Sequence, residues 1–338
     1  MSAIGSVRVH GGSDALGAAR FDFSTNSHAV GPCPQALAAV QVADATRYPD
    51  ASYTALRAAL ADFHGVAPGR IVLAGSASEF IFRTSAWVAR QGGSSVHVPR
   101  HAYGDYLHGA QAWGLERVDD VDTADLVWAC EPSSPSGQAH GTWPRRLGPV
   151  GGPTVVLDCA YAPLRLQGAP SLDAAQRDGV WQLYSPNKAL GLTGVRAAYA
   201  LVPAHAQDAA AQLDALAPSW VVGAHGEAML HAWTQPAVQQ WLAQSLVLLR
   251  QWKERQVALL QAQGWVCQPS DANFFCARPP APLDLVALRA AGIKLRDATS
   301  FGLPGWMRLG VLEPVAQDAL VAEVARFGKE TRISVAPV

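Results

Sequence analysis

Between about residues 70 and 205 the chain repeats one pattern, a short apolar run followed by a stretch at helical spacing. The runs at 126–130 (LVWAC) and 154–158 (TVVLD) show no polar alternation. A strand with one solvated face would alternate, so these belong to strands covered on both faces of a mostly parallel sheet. The pattern predicts strands at 71–74, 95–98, 126–130, 154–158, 180–184 and 197–202, with helices at 78–91 and 103–113 between them. Alternation of this kind specifies an α/β fold with a layer of helices on each side.

The rest of the chain changes character. Residues 207–263 are rich in Ala, Leu, Gln and Trp at helical spacing, with a break expected at Pro236 and one long connecting helix over 236–263. Beyond 265 the order is strand (273–277), helix (283–291), strand (307–311) and helix (314–327), a small α+β unit. The division expected is an N-terminal segment (1–45), a large α/β domain (46–235), a connecting helix (236–264), a small C-terminal α+β domain (265–330) and a tail (331–338).

Composition narrows the function classes. The 338 residues are 49% hydrophobic and 16% charged with a net charge of -1, which gives no electrostatic case for nucleic acid or an anionic membrane. No apolar run approaches the ~20 residues of a membrane span, and the N-terminus lacks the apolar centre of a signal peptide. The five cysteines are odd in number and form no CxxC pair, so they read as reduced residues of a cytoplasmic protein, without a disulfide or zinc framework. Some of the eleven tryptophans are expected at a subunit interface.

Only four of the 26 basic residues are lysines, and one of them, Lys188, stands in a polar loop just after an apolar strand. Ser185 precedes it by three residues and Arg196 follows it by eight. A solvated lysine on a turn is the plain alternative. The spacing suits a Schiff base to pyridoxal phosphate, with the hydroxyl and the guanidinium reaching one phosphate. Asp158 closes the strand 154–158 at the edge where α/β sheets bind ligands, and could either pair with the pyridinium nitrogen or cap the next helix. Tyr161, three residues on, could then bond the ring's phenolic oxygen. Ser76, Ala77 and Ser78 open a helix after a strand, a place where free N–H groups bind anions or where a plain N-cap forms. Tyr103 follows another strand and could stack on a flat cofactor or pack in the core. Ser134 sits in a loop fixed by two prolines and a glycine. Arg308 falls inside an apolar strand, where a charge needs a partner: a substrate carboxylate or an internal ion pair.

In this order and spacing the pieces resemble the fold-type-I pyridoxal phosphate enzymes of the class I/II aminotransferase family, most of all its histidinol-phosphate aminotransferase and threonine-phosphate decarboxylase branch, from about His10 to Phe327. The resemblance implies a large mostly parallel mixed-sheet α/β domain with a small α+β domain, and a pyridoxal 5'-phosphate cofactor bonded to Lys188. It implies that Ser76, Ala77, Ser78, Ser185 and Arg196 hold the phosphate, that Tyr103 stacks on the ring, and that Ser134, Asp158 and Tyr161 contact it. Asn26, Arg296 and Arg308 become substrate residues. Tyr48, in Arg47-Tyr48-Pro49-Asp50, matches a tyrosine that reaches the cofactor phosphate of a partner subunit, which implies a homodimer. Two positions depart from the family pattern: Ser134 stands where an asparagine is usual, and Asn187 where a hydroxyl residue is common.

The expected activity is transfer of an amino group between an amino acid or amino-phosphate and a 2-oxo acid, catalysed by Lys188, Asp158 and Tyr161. The alternative is a threonine-phosphate-type decarboxylase of cobalamin biosynthesis, to which His10-Gly11-Gly12 and the short length are similar. A catalytically silent pyridoxal-phosphate-binding protein is the remote alternative.

Overall fold

The computed structural model describes residues 10–148 and 152–333. Its strands in chain order are β1 (Phe21–Asp22), β2 (Ile71–Ala74), β3 (Ser95–His97), β4 (Glu116–Arg117), β5 (Leu126–Cys130), β6 (Thr154–Asp158), β7 (Trp181–Tyr184), β8 (Ala198–Leu201), β9 (Val266–Cys267), β10 (Phe274–Arg278), β11 (Ile293–Lys294), β12 (Arg296–Asp297) and β13 (Met307–Gly310). Seven form one sheet in the order β2-β8-β7-β6-β5-β3-β4. Only β8 runs antiparallel to its neighbours, β2 and β7.

The buried strands are the ones the apolar runs predicted, with ends shifted by at most a residue or two. Every residue of β2, β5 and β8 is buried, which explains why none alternates with polar side chains. The parallel strands end at one edge, and from that edge rise the loops that carry Gly75, Glu131–Ser136, Asp158 and Ser185 onward. Because β8 runs the other way, it starts where the others finish, with Ala74 opposite Ala198. Arg196, two residues before β8, is therefore delivered to the same edge as the ends of β6 and β7.

The helix Ala224–Trp233 stops before Pro236, which occupies the first turn of the next helix, Pro236–Ala262. This helix leads to a four-stranded antiparallel sheet, β12-β13-β10-β9. The final helix runs to Ile333, past residue 327 where the sequence pattern placed its end and into the expected tail; residues 334–338 lie outside the described region. No described helix is long and apolar enough to cross a membrane.

The N-terminal segment joins the small sheet unit. β1 pairs in parallel with β11, Phe21 opposite Ile293, and the Gly310 N–H donates to Phe23 O at 2.8 Å. A Cβ at Gly310 would lie 2.2 Å from Thr25 O, so only glycine lets the two backbones meet there.

Candidate active site

A cavity of about 920 Å³ opens at the C-terminal edge of the large sheet, between it and the small sheet. Thirteen of the fourteen site residues expected from sequence line it: Asn26, Ser76, Ala77, Ser78, Tyr103, Ser134, Asp158, Tyr161, Ser185, Lys188, Arg196, Arg296 and Arg308. Tyr48 does not. It lies on the surface, 77% exposed, with its ring stacked on Trp220 at 4.4 Å.

At one end, Ser76 caps the helix Ala77–Arg90 by accepting from the Glu79 N–H at 3.0 Å. The helix dipole and the unbonded N–H groups of its first turn suit an anion there. The Ser78 hydroxyl lies 3.0 Å from the Tyr103 phenol, which donates to Asp105 Oδ2 at 2.8 Å and so fixes the ring at the cavity wall. Ser185 is buried, and its Oγ has no partner among the described atoms. Arg196 is exposed on the same wall.

In the middle, Asp158 does not cap the next helical turn. Its Oδ1 accepts from the Ala160 N–H at 2.8 Å and its Oδ2 from the Tyr106 phenol at 2.7 Å. Burial raises its pKa above the usual carboxylate range, opposed by those two hydrogen bonds and by the Lys188 charge. Lys188 Nζ lies 5.5 Å from the centre of the Tyr161 ring, and Tyr161 Oη accepts from Asn26 Nδ2 at 3.1 Å.

At the other end, Arg296 and Arg308 stand directly opposite each other on β12 and β13. Both are buried, and burial pulls both pKa values down, with the Arg308 charge adding to the effect on Arg296. Arg308 donates to Ser24 O at 2.8 Å and to Ser134 Oγ at 3.3 Å, and it lies over the rings of Phe301 and Phe274. None of these partners is a carboxylate, and its Nε is buried without a hydrogen bond. The internal ion pair that was the alternative for this residue does not form among the described residues. Arg296 is aimed by Ser300 Oγ at 2.7 Å and by Asp297 O at 2.9 Å.

Tyr106 is the contributor that sequence reasoning passed over. Its phenol reaches Asp158 from the helix Gly104–Ala112, its ring stacked on Trp128 at 4.8 Å. Its only signal was a place three residues after Tyr103, on a helix whose face the apolar spacing did not assign. Asn187 plays another part than a phosphate contact: its Nδ2 donates to Thr193 O and Val195 O, each at 3.4 Å, within the loop that leads to Arg196.

These atoms fit pyridoxal phosphate. An orphaned hydroxyl and a helix N-terminus on the cavity wall suit a phosphate, a buried carboxylate with no ion pair among the described residues suits a ring nitrogen, and an amine lines the same cavity. The family profile "Aminotransferase class I and II" matches residues 151–325, just over half of the chain. The chain belongs to the class I and II aminotransferases. An aromatic amino acid aminotransferase of Rhodococcus opacus is 31% identical over 88% of this chain and 88% of that protein. A histidinol-phosphate aminotransferase of Dinoroseobacter shibae is 28% identical over 90% of each. Among solved structures, the histidinol-phosphate aminotransferase of Sinorhizobium meliloti in complex with pyridoxal-5'-phosphate aligns with a TM-score of 0.68 at 21% identity, covering 88% of both chains. The L-threonine-O-3-phosphate decarboxylase of Porphyromonas gingivalis aligns with a TM-score of 0.73 at 20% identity, over 91% of this chain and 99% of that one. At such identities the structural likeness speaks for the fold alone. This aminotransferase is a fold-type-I enzyme and takes pyridoxal 5'-phosphate as its cofactor.

Proposed function

We propose that this aminotransferase acts on an amine whose acidic group is doubly charged, a phosphate monoester of the histidinol-phosphate kind, with a 2-oxo acid as the other partner. The observation that carries the reading is the arginine pair. Two buried guanidinium groups face each other across one strand pair and line the cavity, and Arg308 has no carboxylate among its contacts. Two such charges side by side repel, and a dianion between them offsets that repulsion while bonding each fork bidentately. A single carboxylate on the oxo acid can use the same pair in the second half of the reaction.

Pyridoxal phosphate, when bound, supplies an electron sink that lets the Cα–H bond of the amine ionise. The chain's own residues do the rest. Lys188 Nζ would hold the cofactor through its carbonyl carbon, and the same amine would serve as the base that carries the Cα proton. Asp158, held by Tyr106 and the Ala160 N–H, presents one charge at the site of the ring nitrogen. Ser76, Ala77, Ser78, Ser185 and Arg196 hold the phosphate, and Tyr103 packs on the ring face. Tyr161 and Ser134 donate toward the ring oxygen, and Asn26 orients the Tyr161 phenol. Tyr48 points away from its own cavity, in keeping with a homodimer in which it completes the phosphate site of the other subunit.

The test is the visible spectrum of the protein with pyridoxal phosphate, alone and after histidinol phosphate, histidine, phenylalanine or threonine phosphate. Conversion to the pyridoxamine form by histidinol phosphate and not by histidine is the expected result. Conversion by free amino acids alone would remove the dianion from the reading. Carbon dioxide release with the aldehyde form retained would favour the decarboxylase over transamination. Lys188→Ala should abolish the Schiff-base band.

A further inference from the structure

The N-terminal segment that covers the cavity is bonded to the lysine loop at two places. The His28 N–H donates to Lys188 O at 2.9 Å, and the Cys33 N–H donates to Leu190 O at 2.9 Å. The Lys188 carbonyl also accepts from the Gly191 N–H of its own turn, at 3.2 Å, so His28 is what ties it to another part of the chain. That peptide is bonded from two directions: Asn273 Nδ2 donates to Ser27 O at 3.3 Å, and the His28 side chain reaches the long helix.

The His28 ring is buried against the helix Pro236–Ala262, which carries no other part of the site. Its Nε2 lies 2.8 Å from Ser245 Oγ, its Nδ1 accepts from the Val30 N–H at 3.3 Å, and its face leans on Trp241 at 4.8 Å. The hydrogen bonds assign the tautomer. Nδ1 accepts and so bears no proton; Nε2–H then donates to Ser245, whose own hydroxyl donates to Leu242 O at 2.8 Å. Every polar atom of the ring is satisfied in one arrangement, with the ring neutral, and burial holds it so by lowering its pKa. Four residues just before it, Ser24, Thr25, Asn26 and Ser27, line the cavity.

We propose that His28 is a positioning residue for Lys188, a strut from the long helix that fixes both the covering segment and the backbone of the catalytic lysine. This rests on the Lys188 role argued above. A packed core histidine would stabilise the fold evenly. A strut instead sets the precision of one loop, and misplacement of a reacting group costs rate more than binding.

Hydrogen exchange and steady-state kinetics on His28→Phe, His28→Gln and Ser245→Ala decide it. Ser245→Ala is the mild variant, since it removes only the hydroxyl that Nε2 meets. Amides in 22–33 and 185–192 should exchange about tenfold faster in His28→Phe and Ser245→Ala, with the large sheet unchanged. The kcat should fall about tenfold with the KM for the amino donor within about twofold, and His28→Gln, whose amide reaches as far as Nε2, should restore part of it. Unchanged exchange in both segments would overturn the proposal, and so would a uniform rise across the chain. Exchange is read on the protein with and without pyridoxal phosphate. A wild-type spectrum lacking a Lys188-dependent band would defeat the underlying role of Lys188 and leave the exchange result standing on its own.

Discussion

At the scale of the residue, Arg308 was legible because a charge inside Met307–Gly310 contradicts its apolar neighbours, and such a conflict marks function or an ion pair. Sequence could not choose between the two; among the described residues Arg308 bonds Ser24 O and Ser134 Oγ and no carboxylate. Ammonium cannot reproduce a planar fork, so Arg308→Lys should lower kcat/KM for the amino donor by about 100-fold, on the order of the 2–5 kcal/mol that losing one side of a buried charge pair costs. Steady-state kinetics with a folded variant check it. Tyr106 shows the opposite case. Nothing in its neighbourhood in sequence hints at Asp158, because the contact is made across 52 positions by a helix and a strand end that meet only in the fold. Tyr106→Phe strips a buried carboxylate oxygen of its donor and should cost about 1–3 kcal/mol of stability in urea. An unchanged midpoint would show that Asp158 does not depend on it.

At the scale of the element, the strands of the large sheet were readable because burial on both faces leaves an uninterrupted apolar run. The two-residue strands β1, β4, β9, β11 and β12 were not, since two residues carry no period. The long helix was readable, but its role as a brace was not. Lys253, buried on that helix, donates to Ala272 O at 2.8 Å and to Ser270 O, just before β10. Burial lowers its pKa to about 8, against the attraction of Asp271. Between that value and the unfolded 10.5 the unfolded chain holds the proton that the folded chain has released, so stability rises with pH across this window. Lys253→Met should remove that alkaline rise while still costing about 1–3 kcal/mol near neutrality, through the two carbonyls it abandons. Denaturant melts at about pH 7 and at several points across the window set by the lysine separate the two effects.

At the scale of the whole molecule, desolvated histidines tie stability to acid, His28, His64 and His140 among them. Burial lowers the pKa of both His28 and His64 to about 4, from an ordinary value of 6.5. The unfolded chain takes up protons that the folded chain refuses over that interval, so stability is full above 6.5 and is lost as the pH falls toward about 4. Each residue contributes on the order of a few kcal/mol to that loss. The urea midpoint should therefore drop steeply between these values, and a folded His64→Phe variant should drop less. An acid slope unchanged by the substitution would exclude His64 as a source.

The cavity gathers Asn26, Asp158, Lys188 and Arg308, and the last hydrogen bonds around it span the chain, from Ser24 to Arg308 and from Phe23 to Gly310. Contacts so distant in sequence close late, because the loops between them must first be drawn together. During synthesis the large sheet can assemble well before β13 exists, and the cover can already bond the Lys188 loop, yet its bonds to Arg308 and Gly310 wait until β13 arrives. Tight substrate capture thus doubles as a check on assembly: it singles out molecules in which the N-terminal cover and β13 have met.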